Sequence, residues 1–260
     1  MRVGKLGRHL RNQNWFAAGI DLAVVVLGIL VAFQIDRWRE QRADLAMEAN
    51  YIRRLVADVE TDIPSIRKSL ALAEDRVGFA QLLMDAVRDP AVVSAEPARF
   101  LVALLEASYT NVPALASHTF EDLRATGNLS RIRGEEIKRA LYDYYGYDET
   151  RRQWMQLALA GEQYYFEIAA GVIDYDQTRW VLENLKNKQG VTWQGLDDME
   201  LDPQPVQAAL DRLRSRQQVV DYLPQLLMGQ WDAVQENQRR IAFAESLLAK
   251  LRAYSTQLGD

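Results

Sequence analysis

His118, beside Thr119, carries the one kind of side chain that takes up and releases protons near neutral pH. Yet the sequence sets no nucleophile or carboxylate at a spacing that would complete a catalytic set around it. A surface histidine at the entry of a helix is the plainer reading. His9 is the only other histidine and cysteine is absent, so a metal centre built on imidazole or thiolate is excluded. Carboxylates remain the only ligand type for a hard cation. The stretch "GLDDMELD" offers Asp197, Asp198, Glu200 and Asp202. It lacks the central glycine and closing glutamate of a calcium loop and reads as a solvated acidic loop. Tyr142, Tyr144, Tyr145 and Tyr147, with Trp154, could line a pocket for a lipid or a sugar. Aromatics at helical spacing are more often core, and a buried tyrosine needs only one hydrogen-bond partner. Glycine-rich phosphate loops, serine-centred elbows and paired catalytic carboxylates do not stand out. The expectation is a chain that is not an enzyme and uses no cofactor and no metal.

Two other blocks have residues placed for something besides core. In "TGNLS", Gly127 and Asn128 join two helices with residue types that tolerate unusual backbone angles. A helix stop whose asparagine satisfies loose backbone groups is the structural reading of Thr119, Leu123, Gly127, Asn128 and Leu129. The second block is "NWFAAGIDLAVVVLGILVAFQIDRW", from Asn14 to Trp38. Between Trp15 and Ile35 its one ionisable residue is Asp21. About 20 apolar residues in a helix cross the ~30 Å hydrocarbon layer of a bilayer. Trp15 and Trp38 would lie roughly 35 Å apart along such a helix, as anchors at the two interfaces. A buried core helix would be shorter, and "LGILVAFQ" has no clean small-x-small site for removal of a leader.

On that helix Asn14, Ala17, Ala18, Asp21, Val25, Gly28, Ala32 and Ile35 share one face. Small residues let two helices approach closely, and carboxylates inside membranes rarely face lipid. Asp21, Val25, Gly28 and Ala32 therefore read as a helix–helix contact in the membrane. The competing reading has Asp21 near the headgroups, reaching for water.

Composition sets the remaining bounds. Thirty-one basic and 36 acidic residues give a net charge of −5, so nucleic acid is not an expected partner. The expected partners are the lipid bilayer and either further copies of the chain or another protein. Arg2, Lys5, Arg8 and Arg11 precede the span with no acid among them. They favour a cytoplasmic N-terminus in a bacterial inner membrane and a periplasmic main domain, although Arg37, Arg39, Arg42, Arg53 and Arg54 follow the span. The domains read as a basic tail at 1–13, a transmembrane helix at 14–38 and an all-α extramembrane bundle at 39–260.

The elements beyond the span are helices. Leu45, Ala49, Ile52, Val56, Val59, Ile63, Ile66, Leu70, Ala73, Val77, Ala80, Met84 and Val87 alternate in spacing by four and three, the seam of helices that wind together. Leu55, Leu72, Phe79 and Leu83 widen that stripe and favour an intramolecular bundle over a self-associating stalk. Pro64 predicts a kink, or a restart with Asp62 as cap. "RDPAVVSAEP" reads as a loop, Ala98–Ser108 as a helix, and "TNVPALAS" as a break. Thr119 can cap a short helix with Asp122 three residues on, and Gly127 suits the left-handed position that ends it. A long helix from Glu135 to about Gly171 places Ala140, Tyr144, Tyr147, Trp154, Leu157, Gly161, Tyr164 and Ile168 on one face. Residues 187–204 show no period. Pro205 opens a helix at its first position. A last helix, Gln217–Leu258, has Val234, Ile241 and Leu248 at sevens, as are Ala244, Leu251 and Leu258, with a kink or restart expected at Pro224.

The chain resembles a family of bacterial single-pass membrane proteins known as a domain of unknown function. Two blocks carry the likeness: Asn14–Trp38, with its Asn-Trp, Gly-Ile-Asp and Gln-Ile-x-x-Trp pattern, and "TFEDLRATGNLSRIRGEEIKRALYDYY" at Thr119–Tyr145. Asp36 and Arg37 stand where the family pattern has an asparagine near the tryptophan. The resemblance implies a membrane anchor carrying a helical domain, and implies no activity. The expected role is a non-enzymatic protein-interaction or self-assembly module. A membrane-anchored sensor or ligand-binding domain is the alternative, and it requires a cavity along the Tyr144–Trp154 helix. A membrane-anchored hydrolase comes last.

Overall fold

The structure, a computed structural model, describes residues 15–186, 196 and 201–259, with side chains except at 15–18, 148–154 and 184–186. The basic tail at 1–13, Asn14, and Asp197, Asp198 and Glu200 lie outside the described residues, as do the side chains of Trp15, Ala17, Ala18 and Trp154. The described residues are all-helical. The α-helices are α1 (Trp15–Arg88), α2 (Ala91–Ala95), α3 (Pro97–Glu106), α4 (His118–Ala125), α5 (Glu135–Ala169), α6 (Tyr175–Lys186), α7 (Pro203–Ser215) and α8 (Gln217–Leu258). A 3-10 turn at Asn128–Arg131 follows α4, and the one extended pairing described is a bridge from Ala170 to Ile173. The chain divides into a unit of residues 1–51 and a unit of residues 52–259.

In the second unit, α1 uses the heptad seam to pack within its own chain. Ile52, Val59, Ile63, Ile66, Ala73 and Ala80 are buried, as are the widening residues Leu55, Leu72, Phe79 and Leu83. α8 runs antiparallel to α1, with Arg67 on Glu245 and Arg252 on Glu60, both at 2.6 Å. It is also antiparallel to α5, where Tyr147 meets Phe243 and Tyr222 donates to the Gly161 carbonyl at 3.3 Å. Val234, Ala244, Leu248 and Leu251 of α8 are buried, as their spacing requires. A large core lies where Leu72–Ala86 of α1 meets α3, α7, the end of α5 and the start of α8.

Neither proline restarts a helix. α1 continues through Pro64 and α8 through Pro224. Both rings are on exposed faces, so water can serve the carbonyl four residues back that lost its donor. Asp62 is consequently no cap. "RDPAVVSAEP" contains the short helix α2, entered by a turn in which Asp89 accepts the Ala91 N–H at 2.9 Å. Thr119 caps nothing: it is buried inside α4, and Ser117 holds the cap position without a side-chain bond. α7 opens two residues before Pro205, at Pro203, and Asp202 caps it by accepting the Gln204 N–H at 3.0 Å. On α5 the buried face shifts by one residue in its second half: Tyr165 and Ile168 are buried while Tyr164 and Leu157 are exposed.

α6 has no counterpart in the sequence reading. It starts from a reciprocal cap in which Asp174 accepts the Gln177 N–H at 2.9 Å and Gln177 accepts the Asp174 N–H at 3.0 Å. Arg212 of α7 holds this corner through the Val172 carbonyl and the Gln177 side chain.

Candidate functional site

The first unit carries the helix face singled out by its small residues. From Gly19 to Asp36 every residue of α1 is exposed, Asp21, Val25, Gly28 and Ala32 included. A Cβ added at Gly28 would meet nothing within 4 Å, so space for a neighbouring backbone lies open along this stripe. At its far end Trp38 is exposed, and the Arg42 guanidinium lies 4.2 Å from the centre of its ring. A cation on the face of an indole one helical turn away keeps both groups at the helix surface.

The second unit contains a polar site that has no local signature. Between α3 and α4 the chain runs without helix over residues 109–117, and a stretch like this must find partners for its backbone groups when buried. Side chains of three long helices supply them. From α1, Asp62 accepts the Ala116 N–H at 2.7 Å, and Ser69 accepts from the side-chain amide of Asn111 at 2.7 Å. From α5, Tyr145 donates to the Ala116 carbonyl at 3.2 Å, and Glu162 accepts the Thr110 N–H at 2.9 Å. From α8, Gln230 donates to the carbonyls of Ala107 and Tyr109, and Arg240 to that of Pro113 at 3.4 Å. Asp62, Ser69, Gln230 and Arg240 are all buried.

Asp62 is the centre of this arrangement. Its second oxygen accepts the Tyr144 hydroxyl at 2.9 Å. Burial pushes its carboxyl above the ordinary aspartate range, against the bonds from Ala116 and Tyr144, which pull it down. Burial likewise pushes the Tyr144 and Tyr145 hydroxyls up, and the Asp62 charge adds to this, so both remain neutral donors. Nothing in this set is a nucleophile aimed at open space; its chemistry is to hold segment 109–117.

A raised carboxyl binds its proton in the folded chain at a pH where the unfolded chain has released it. The contribution of Asp62 to stability is therefore complete below the ordinary aspartate range and is lost as pH rises through the raised value. Thermal melts of the native chain and Asp62→Asn from about pH 4 to about pH 7 test the sign. The variant's melting temperature is expected to improve relative to the native chain as pH rises. The opposite trend would show Asp62 to be stabilised as the anion.

The "TGNLS" block packs beside this site as a corner. Gly127 adopts φ of +72°, the left-handed conformation expected of it. Thr119, Leu123 and Leu129 are buried, and Asn128 is half-buried at the start of the 3-10 turn. Phe120 stacks on Tyr145 with ring centres 4.5 Å apart, which ties α4 to the tyrosines of α5. Tyr142 is exposed, and Tyr147 donates to Glu236 at 2.7 Å. The tyrosine group is thus divided between core, a polar cluster and surface, and the hydroxyl of Tyr144 is already taken by Asp62. His118 is exposed at the start of α4.

Among the described residues, no group of three or more His, Cys, Asp or Glu side chains is placed to hold a metal ion. No protein-family model, no curated protein and no solved structure matches the chain.

Proposed function

We infer that this chain is a single-pass membrane protein whose α1 anchors a helical domain that acts by binding protein, its own copies included, and not by catalysis. The observation that carries this reading is the run of exposed Ile, Leu, Val and Phe side chains from Ile20 to Ile35 on a helix segment that nothing among the described residues covers. Exposed apolar area on this scale costs about 25 cal/mol for each Å² left in water, and a bilayer removes that cost. Trp15 and Trp38 are the anchors at the two faces of the membrane. The basic residues Arg2, Lys5, Arg8 and Arg11 support a cytoplasmic N-terminus, with the domain on the periplasmic side of a bacterial inner membrane. The resemblance of Asn14–Trp38 and Thr119–Tyr145 to a bacterial membrane family supports the same placement.

Self-association through Asp21, Val25, Gly28 and Ala32 is tested by crosslinking the intact chain in membranes. Gly28→Leu fills the open space on the stripe and Asp21→Ala removes its polar group. Each is expected to reduce crosslinked dimer several-fold, the measure of losing roughly 1 kcal/mol of helix–helix contact. Unchanged crosslinking of both variants would assign the interaction to the extramembrane domain alone.

A further inference from the structure

Where α5 and α8 run side by side, a groove of about 690 Å³ opens at the surface. Pro224 and Gly229 of α8 lie on one wall, and Leu157, Ala158 and Gly161 of α5 on the other. At one end Tyr222 closes over Gly161, where an added Cβ would meet its hydroxyl at 3.1 Å. The walls are apolar and uncovered: Leu157 is 74% exposed and Met228 68%. Among the described residues three carboxylates line the groove, Glu162, Asp221 and Asp232, and no lysine or arginine does. Deeper in, Ser108 is buried, and its hydroxyl has no hydrogen-bond partner among the described residues. An apolar trough edged by anions fits an apolar side chain flanked by cations, and the Ser108 oxygen can accept an N–H from such a cation. Asp221 and Asp232 are separated by about 16 Å along the helix, close to three turns of a docked helix.

We propose that this groove docks a basic amphipathic helix of a partner protein, whose apolar side chains enter between Leu157 and Met228 while its lysines or arginines pair with Glu162, Asp221 and Asp232. The proposal names the partner chemistry of the interaction role given above and rests on that reading. Helix-in-groove recognition of this kind draws affinity from the apolar anchors and selects by charge. A free cation would forgo the apolar walls, and an acidic helix would meet three like charges.

The test uses the full chain in phosphatidylcholine nanodiscs, which carry no net charge. The probes are two labelled synthetic helices of identical pattern, one of leucine and lysine and one of leucine and glutamate. Fluorescence anisotropy is expected to show saturable binding of the lysine helix beyond that to empty discs, and none of the glutamate helix. Asp221→Lys with Asp232→Lys should weaken binding at least tenfold, and Leu157→Ser several-fold, with melting temperatures unchanged. Equal binding by both helices, or lysine-helix affinity unaltered in both variants, would overturn the proposal. A change in oligomeric mass on charge reversal would make a second copy the occupant and would also overturn it. Retention in the discs reports the anchor separately, so failure of the groove and failure of the membrane reading are told apart.

Discussion

Val26→Lys with Ile29→Lys is expected to release the chain from membranes. Eleven exposed Ile, Leu, Val and Phe side chains lie between Ile20 and Ile35. At about 0.3–0.6 kcal/mol each near the middle of a span, they favour insertion by roughly 3–7 kcal/mol. Two lysines at the centre cost roughly 5–7 kcal/mol and also remove two favourable residues. The balance is then cancelled or reversed. Native chain should remain in the pellet after washing with alkaline carbonate and enter solution only with detergent, whereas the double variant should appear in the wash or be degraded. Arg39→Lys, beyond Trp38, serves as the control and should leave the distribution unchanged. A double variant that stays as firmly bound as the native chain would refute the span.

Asp62→Ala carries the largest expected loss of stability. The substitution leaves the Ala116 N–H and the Tyr144 hydroxyl buried without their acceptor. Each stranded group costs about 1–3 kcal/mol. The Asp62 charge also faces Arg240, whose own charge would lose that counterpart in the interior. A loss of about 3–5 kcal/mol is expected, a large share of what holds an ordinary domain together. Asp62→Asn should cost about 1–2 kcal/mol, because the amide oxygen still serves one donor. Asp122→Ala breaks an exposed ion pair with Arg54 and should cost less than about 1 kcal/mol. Urea unfolding of the three variants gives the ordering. If Asp62→Ala cost no more than Asp122→Ala, segment 109–117 would be held by something other than its side-chain acceptors.

Much of the helical architecture was readable because apolar period is a local property. The alternation from Leu45 to Val87 marks a helical seam, and the flanking Leu55, Leu72, Phe79 and Leu83 point to packing within the chain. Of the six α8 residues at sevens, Val234, Ala244, Leu248 and Leu251 are buried while Ile241 and Leu258 are half-buried. The restart expected at Pro64 and Pro224 does not occur, because the rule counts a lost N–H without asking which way the ring faces. On an exposed face of a long helix packed along its other side, water offsets the loss. That error hid Asp62, which looked like a cap beside a proline. Its partners Ala116 and Tyr144 are 54 and 82 residues away, and nothing in the neighbouring sequence announces either. α6 is a different case. The Asp-x-x-Gln box at Asp174–Gln177 is a recognisable start signal, and it stands before a stretch that otherwise shows little apolar run. The groove was invisible for the same reason as Asp62, since its two walls come from distant parts of the chain.

The irregular stretch at 109–117 borrows its hydrogen bonds from α1, α5 and α8 at once. It therefore works as a dowel driven through three parallel beams. Sliding one beam by a single turn, about 5.4 Å, would strand several amides and carbonyls together. Lengthwise slippage among these helices is thus forbidden short of wholesale collapse, and the amide of Ala116 should exchange with deuterium only when the entire bundle comes apart.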